Sequence, residues 1–87
     1  MGNHLDSVEY KYSEIEAIQY ILDIFEQRIR FDIETQQPNL TPDSILVFKR
    51  NLVKNVLKKL DLSKPIPNAI IRHAIMDYAK DSLNIIF

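Results

Sequence analysis

Hydrophobic residues recur along most of the chain with the period of an α-helix. Three stretches show this pattern, and proline-containing loops separate them. Such a recurrence places apolar side chains on one side of a helix, and that side packs against a core. The pattern predicts an all-α protein, a three-helix unit with a short extended N-terminal arm that forms a helical homodimer. Residues 1–12 are the expected arm, in which Val8, Tyr10 and Tyr12 alternate with polar residues, and residues 13–87 are the expected single helical domain.

The first predicted helix begins at Ser13, because Ser13 and Glu16 have the spacing of a capping box. Its apolar residues predict a main stripe of Ile15, Ile18, Leu22, Phe25, Ile29 and Ile33, and an adjoining stripe of Ala17, Ile21, Ile24 and Phe31. Together the stripes cover an arc of roughly 220°, wider than one contact with a small core requires. We therefore expect this helix to lie between neighbours. The alternative is that residues 30–36 form a strand.

Two further helix starts are marked by proline. Thr41-Pro42-Asp43 supplies an N-cap, a proline at the first helical position and an acid in the first turn, and predicts a second helix that runs to about Leu60. After a second proline loop over residues 61–67, Asn68 is the predicted N-cap of a third helix. The chain ends in an apolar tail over residues 83–87. We expect this tail to be docked, since its exposure to water would be costly.

The composition excludes several kinds of site. The absence of cysteine excludes a disulfide framework, a thiolate zinc site and a cysteine nucleophile. Gly2 is the single glycine, so no glycine-rich phosphate loop exists and no cofactor is expected. The longest unbroken apolar run, Ile45 to Phe48, is too short to cross a bilayer, and no signal-peptide core follows Met1. The expected protein has no membrane contact, and the expected compartment is cytoplasmic.

The net charge of −1 conceals an asymmetry along the chain. Residues 1–43 carry nine acids and three bases, whereas residues 44–87 carry eight bases and three acids. Charge separated in this way steers association with an acidic partner, with nucleic acid or with another copy head to tail.

A row of basic residues on the second helix is the first candidate site. Arg50, Lys54 and Lys58 recur at i, i+4 and i+8, with Asn51 and Asn55 beside them. Such a row can meet an acidic helix of a partner protein, and in a groove of nucleic acid it can track phosphates while the amides reach base edges. The acidic protein is the preferred partner and nucleic acid the less favoured one. The plain alternative is a solvated face that keeps the protein in solution.

The wide apolar arcs of the first and third helices predict a second candidate surface, an interface between two copies. Its expected members are Ile21, Ile24, Arg28, Phe31, Met76 and Leu83. The alternative is that the N-terminal arm covers the excess apolar surface. Arg28 and Asp32 form an i, i+4 pair inside the arc, where they either select the partner or lie at its rim.

Catalysis and metal binding are not expected. No histidine accompanies a serine, and a three-helix unit offers little concave volume, so neither an enzyme nor a small-molecule substrate is predicted. His73, Asp77 and Asp81 share one helix face, but one imidazole with two flexible carboxylates is a weak ligand set. No metal site is expected.

The stretch from Asn68 to Tyr78, with its capped start and its apolar-apolar-Arg-x-Ala-apolar pattern, resembles the second helix of ribbon-helix-helix repressors. The resemblance implies a DNA-reading strand before the preceding helix, and residues 31–35 occupy that place. That stretch carries Asp32 and Glu34 where the family has basic or amide side chains, and a proline loop follows it. Because of these departures the chain is not assigned to that family.

Overall fold

A computed structural model describes residues 9–87 and shows a mostly helical protein with one small sheet. The elements in chain order are β1 (Glu9–Tyr10), α1 (Glu14–Ile24), a π-helical turn (Phe25–Ile29), α2 (Arg30–Gln36), α3 (Pro42–Lys58), β2 (Ile66–Pro67) and α4 (Asn68–Leu83). Val8 and the rest of the predicted arm before Glu9 lie outside the described residues. Within residues 9–87, no helix is both long enough and apolar enough to cross a membrane.

The first predicted helix is confirmed as one continuous helical segment over residues 14–36, made of α1, the π-helical turn and α2. It begins with the predicted capping box: the Ser13 hydroxyl accepts from the Glu16 amide, and the Glu16 carboxylate accepts from the Ser13 amide. The strand alternative for residues 30–36 is wrong, because the backbone there is helical. The strand that the repressor resemblance implies over residues 31–35 is absent for the same reason.

The buried side chains of this segment recur every fourth residue, and they are Ala17, Ile21, Phe25, Ile29 and Ile33. In an α-helix of 3.6 residues per turn, a step of four residues overshoots one turn by about 40°, so this stripe would drift around the helix. The π-helical turn uses more residues per turn and rotates the stripe back toward the core. The predicted main stripe is therefore wrong at its N-terminal end, where Ile15 is 68% exposed.

The start of α3 matches its prediction. The Thr41 hydroxyl accepts a hydrogen bond from the Ser44 amide, and Pro42 occupies the first turn. The helix ends at Lys58, two residues before the predicted Leu60, and the chain continues through tighter turns at Lys59 and Leu60.

The predicted cap at the start of α4 is wrong in its details. Asn68 is the first helical residue, and Pro67 precedes it in an extended conformation without a side-chain cap. The Asn68 side chain instead accepts a hydrogen bond from the Tyr12 hydroxyl. At the other end, Asn84 ends the helix in the left-handed region with φ of 57°, a conformation that asparagine tolerates better than most residues.

Three aromatic rings at the centre of the core come from three different helices. The Phe48 ring of α3 lies 6.2 Å from the Phe25 ring and 5.4 Å from the Tyr78 ring of α4. These centroid separations are typical of favourable aromatic pairs. Around them lie Ile21, Ile29, Ile33, Leu52, Val56, Ile66, Ile71, Ile75, Ala79 and Ile85. One core therefore joins all three helical regions.

The described part of the arm packs onto this core. β1 pairs with β2 in antiparallel fashion, with Glu9 opposite Pro67 and Tyr10 opposite Ile66. Tyr12 packs against the core and against the Tyr20 ring at 6.0 Å. The arm thus covers part of the apolar surface of the first helical segment, as the alternative to an interface between copies expects.

The C-terminal tail is docked by side-chain amides from the end of α2. Gln36 donates to the Ile86 carbonyl at 2.8 Å and accepts from the Ile86 amide at 2.7 Å, while Gln37 donates to the Leu83 carbonyl. Ile85 is buried between them, whereas Ile86 and Phe87 remain exposed. The docking expected from the sequence is confirmed for Ile85.

Two leucines of α3 test the position of the core. Leu52→Ala removes a fully buried side chain and is expected to lower the free energy of unfolding by about 2 to 5 kcal/mol. Leu46→Ala, the matched control on the exposed side, is expected to change it by less than about 0.5 kcal/mol. Urea unfolding followed by circular dichroism measures both values. Equal losses in the two variants would contradict the assignment of the core.

Gln36→Ala tests the docking of the tail. Loss of the hydrogen bond from the Ile86 amide to the Gln36 side chain is expected to speed hydrogen exchange at that amide by about fivefold, since one hydrogen bond contributes about 1 kcal/mol. The exposed Gln27→Ala is the control and should leave that rate unchanged. NMR exchange measurements follow the Ile86 signal, and an unchanged rate in Gln36→Ala would show that the tail is held by other contacts.

Candidate protein-interaction surface

The predicted basic row lies on the side of α3 that faces away from the core. Arg50, Lys54 and Lys58 are all exposed, and the structure of residues 9–87 gives none of them an ion-pair partner. Lys58 lies in the last turn of α3, where a cation is stabilised by the helix dipole. Arg50 and Lys54 lie further from the helix end. Among residues 9–87, Arg50 and Lys54 therefore have neither an ion-pair partner nor a stabilising position in the last turn of the helix.

The two asparagines of this predicted site differ in their environment. Asn51 is exposed beside Arg50. Asn55 is partly buried, and its amide nitrogen donates to the Asn51 carbonyl at 2.8 Å. The Asn55 amide is thus engaged with its own helix, so the structure does not present the pair of free amides that a base-reading face requires.

Two exposed apolar residues precede the basic row on the same helix. Leu46 is 53% exposed and Val47 is 54% exposed. They stand four and three residues before Arg50, so all three are neighbours on the helix surface. The site predicted from the sequence began at Arg50 and included neither Leu46 nor Val47. The basic face of α3 is defined here as Leu46, Val47, Arg50, Lys54 and Lys58.

Lys49 lies next to this face and forms an ion pair within the protein. Its ammonium group lies 3.0 Å from the Glu26 carboxylate, which also accepts from the Arg30 guanidinium at 2.8 Å. Both cations lie over the Phe25 ring, at 5.7 Å and 5.4 Å from its centroid. The hydrogen bonds from Arg30 and then Lys49 lower the pKa of Glu26, and the same pairing raises the pKa of Arg30. This cluster joins α3 to the first helical segment.

The residues of the predicted interface between copies fall into three groups. Ile21 is fully buried within one copy, so its assignment to an interface is wrong. Its side chain belongs to the buried stripe that recurs at every fourth residue of the first helical segment. Ile24 and Leu83 are partly buried and pack against the core. Met76 is partly buried as well, and Arg28 and Phe31 are exposed.

Arg28 and Asp32 occupy the rim rather than the interior. The Arg28 side chain is 56% exposed, its Nε lies 4.0 Å from Asp32 Oδ2, and its guanidinium lies 5.8 Å from the centroid of the Phe87 ring. The Asp32 Oδ2 atom is buried and accepts no hydrogen bond from the described residues. The rim interpretation of this pair therefore fits the structure, because Arg28 reaches water directly.

A cleft between α4 and the tail was not expected from the sequence. Its volume is about 550 Å³, which lies within the range of small-molecule pockets. It is lined by His73, Met76, Asp77, Lys80, Asn84, Ile85, Ile86 and Phe87. The expectation of little concave volume is wrong, because the docked tail forms one wall. Asp77 and Lys80 bring opposite charges to the lining of this cleft.

The face that carries His73, Asp77 and Asp81 shows no metal-binding group. Across residues 9–87, no three histidine, aspartate or glutamate side chains come close enough together to hold a metal ion.

The cluster at Glu26 predicts a pH dependence. Because the folded pKa of Glu26 lies below its ordinary value of 4.5, its contribution to stability is complete above pH 4.5 and is lost as the pH falls through the folded pKa. Lys49→Met removes one donor and is expected to raise the pKa of Glu26 part of the way back. NMR titration of the Glu26 carboxyl carbon measures this pKa. Lys80→Met is the matched control, and equal pKa values in both variants would contradict the role of Lys49.

Comparison with known proteins identifies no relative. No family model matches the chain, and neither a curated protein nor a solved structure is significantly similar to it. The case for a function therefore depends on the chemistry of the surfaces described above.

Proposed function

We propose that this chain is a small non-enzymatic protein–protein interaction module, a regulator, inhibitor or adaptor, and that it binds an acidic partner on the basic face of α3. One observation carries the proposal: Leu46 and Val47 are about half exposed and adjoin cations that have no internal ion-pair partner in residues 9–87. Apolar anchors beside charges are typical of surfaces that bind an amphipathic helix.

The chemistry of the face defines the partner. Burial of Leu46 and Val47 supplies apolar contact, which is the favourable term in most protein association. The cations at Arg50, Lys54 and Lys58 favour carboxylates one helical turn apart and disfavour a basic partner. The matching partner is a helix with leucine-sized side chains at one end of a stripe and acids along the rest of it.

Association of two copies is part of the proposal. Phe31 is 65% exposed, and Arg28 lies beside it on the first helical segment. Ile24, Met76 and Leu83 contribute only the exposed parts of their side chains. The apolar surface available for a homodimer is therefore smaller than the wide helical arcs suggest.

Nucleic acid is the second candidate, with this chain acting as a dimeric transcriptional regulator. The one-turn spacing of Arg50, Lys54 and Lys58 favours it, because such cations can track phosphates. Two observations weigh against it. The Asn55 amide is engaged with the helix backbone, and Leu46 and Val47 have no counterpart on a phosphate backbone.

Two fluorescent probes separate the candidates: a synthetic acidic amphipathic helical peptide and a mixed-sequence DNA duplex. The peptide is expected to bind at low salt. Arg50→Gln combined with Lys54→Gln is expected to weaken peptide binding between about threefold and thirtyfold, because each exposed ion pair contributes about 0.3 to 1 kcal/mol. Lys64→Gln combined with Lys80→Gln removes the same charge elsewhere and should have no effect. Fluorescence anisotropy measures the binding of each probe to the wild type and to both double variants.

The result with the duplex decides the alternative. Tighter binding to the duplex than to the peptide would favour nucleic acid if the logarithm of the affinity also fell steeply with the logarithm of the salt concentration, at a slope of about −0.9 for each phosphate contacted. If neither probe binds, or if both double variants weaken the peptide equally, the basic face has no specific partner of this kind.

A further inference from the structure

The first helical segment carries an outer face opposite its buried stripe. Asp23, Gln27 and Phe31 each lie two residues beyond a buried residue of that stripe, which places them on the other side of the helix. All three are exposed, and Phe31 is the largest apolar group among them. Arg28 and Arg30 are the cations near this face. The Glu26 carboxylate pairs with Arg30 at 2.8 Å, and Asp32 Oδ2 lies 4.0 Å from Arg28 Nε.

The spacing on this outer face matches the spacing on the basic face of α3. Phe31 lies eight residues after Asp23, and Leu46 lies eight residues before Lys54. The separation spans about 12 Å along α3. It is slightly shorter along the first helical segment, because the π-helical turn rises less per residue. If two such helices lie antiparallel, an aromatic residue meets Leu46 and Val47 at the same register at which a carboxylate meets Lys54.

We propose that the acidic partner of the basic face is a second copy of this chain, whose outer face at Asp23, Gln27 and Phe31 lies antiparallel against α3. This inference rests on the proposed function, because it uses the same basic face. In this register Phe31 covers Leu46 and Val47, Asp23 pairs with Lys54, and Gln27 lies opposite Arg50. The opposite net charges of the two halves of the chain favour this orientation and disfavour contact between like faces.

The contact is heterologous, because two different faces meet. When two copies meet in this way, one copy keeps an unmatched outer face and the other keeps an unmatched basic face, so association does not stop at two copies unless the rotation closes a ring. One helix pair buries less than the roughly 1,200 Å² of a stable interface, so association is weak and depends on protein concentration. Screening by salt reduces it further.

Exchange of the two paired charges tests the register. Asp23→Lys and Lys54→Glu each place like charges opposite each other, and each variant alone is expected to stay near 10.2 kDa. Each variant keeps one native face, and its altered face complements the altered face of the other variant. An equimolar mixture of the two, or the double variant in one chain, is therefore expected to associate again.

The measurement is sedimentation velocity on the full chain over a range of protein concentrations, at about 50 mM and about 500 mM salt. The wild type is expected to exceed 10.2 kDa at high concentration and low salt, and to return toward that mass at high salt. Asp81→Lys and Lys80→Glu make the same charge changes on exposed positions of α4 and should behave like the wild type. Circular dichroism checks that every variant is folded, and Asp23→Asn and Lys54→Gln replace any that is not.

Several outcomes would overturn the inference: a wild type that remains monomeric throughout, single variants that associate like the wild type, or a mixture that fails to recover. If the acidic peptide binds the basic face while the chain stays monomeric, the self-association fails and the proposed function stands. If the chain associates and the exchanged charges rescue it, both stand. If there is neither peptide binding nor association, both fail.

Discussion

Five buried side chains at four-residue intervals, from Ala17 to Ile33, hold the first helical segment against the other helices. A plain α-helix cannot keep such a stripe on one side over this length, so the chain widens into a π-helical turn at Phe25–Ile29. The turn places Phe25 within reach of Phe48, and Phe48 in turn contacts Tyr78. The positions of α3 and α4 around a common centre therefore depend on this local widening. It also fixes what faces outward, since Asp23, Gln27 and Phe31 follow the same four-residue spacing.

Structural features that depend on short-range interactions could be predicted from the sequence, whereas features that depend on long-range contacts could not. The capping box at Ser13 and the cap at Thr41 act within one turn, and both helix starts were predicted correctly. The exposure of Ile15 and the complete burial of Ile21 were not, because an apolar arc of roughly 220° does not show which of its two stripes faces the core. The role of Asn68 was missed as well, since its partner Tyr12 is 56 residues away in the chain. Side-chain pairs of that separation leave no local pattern.

The exposure of the cations of the candidate site could be predicted from the sequence, whereas the exposure of its apolar residues could not. Positions 50, 54 and 58 lie opposite the core in any regular helix, so their exposure follows from the period alone. Lys49 directly precedes Arg50, yet its ammonium group pairs with the Glu26 carboxylate and lies over the Phe25 ring. Leu46 and Val47 belong to the unbroken apolar run from Ile45 to Phe48, and the run does not indicate which of its members are exposed. Their contact with water is seen only in the packed structure, in which Phe48 and Leu52 are the buried residues of this part of α3.

Completion of the core within one copy bears on the kind of association this protein can have. The three helices already share one aromatic centre, and no charged residue among residues 9–87 is fully buried. The Asp32 Oδ2 atom is buried, but Arg28 Nε of the same copy lies 4.0 Å from it. A partner is thus not required to close the core, unlike in an obligate dimer whose interface resembles a core cut in half. The apolar groups that remain outside include Phe31, Leu46 and Val47, which have charged residues as neighbours on their own helices. Exposed ion pairs contribute little and are screened by salt, so the proposed contact through these faces is expected to be reversible and sensitive to salt concentration. Such a surface suits a module that binds and releases its partner while its own fold stays intact.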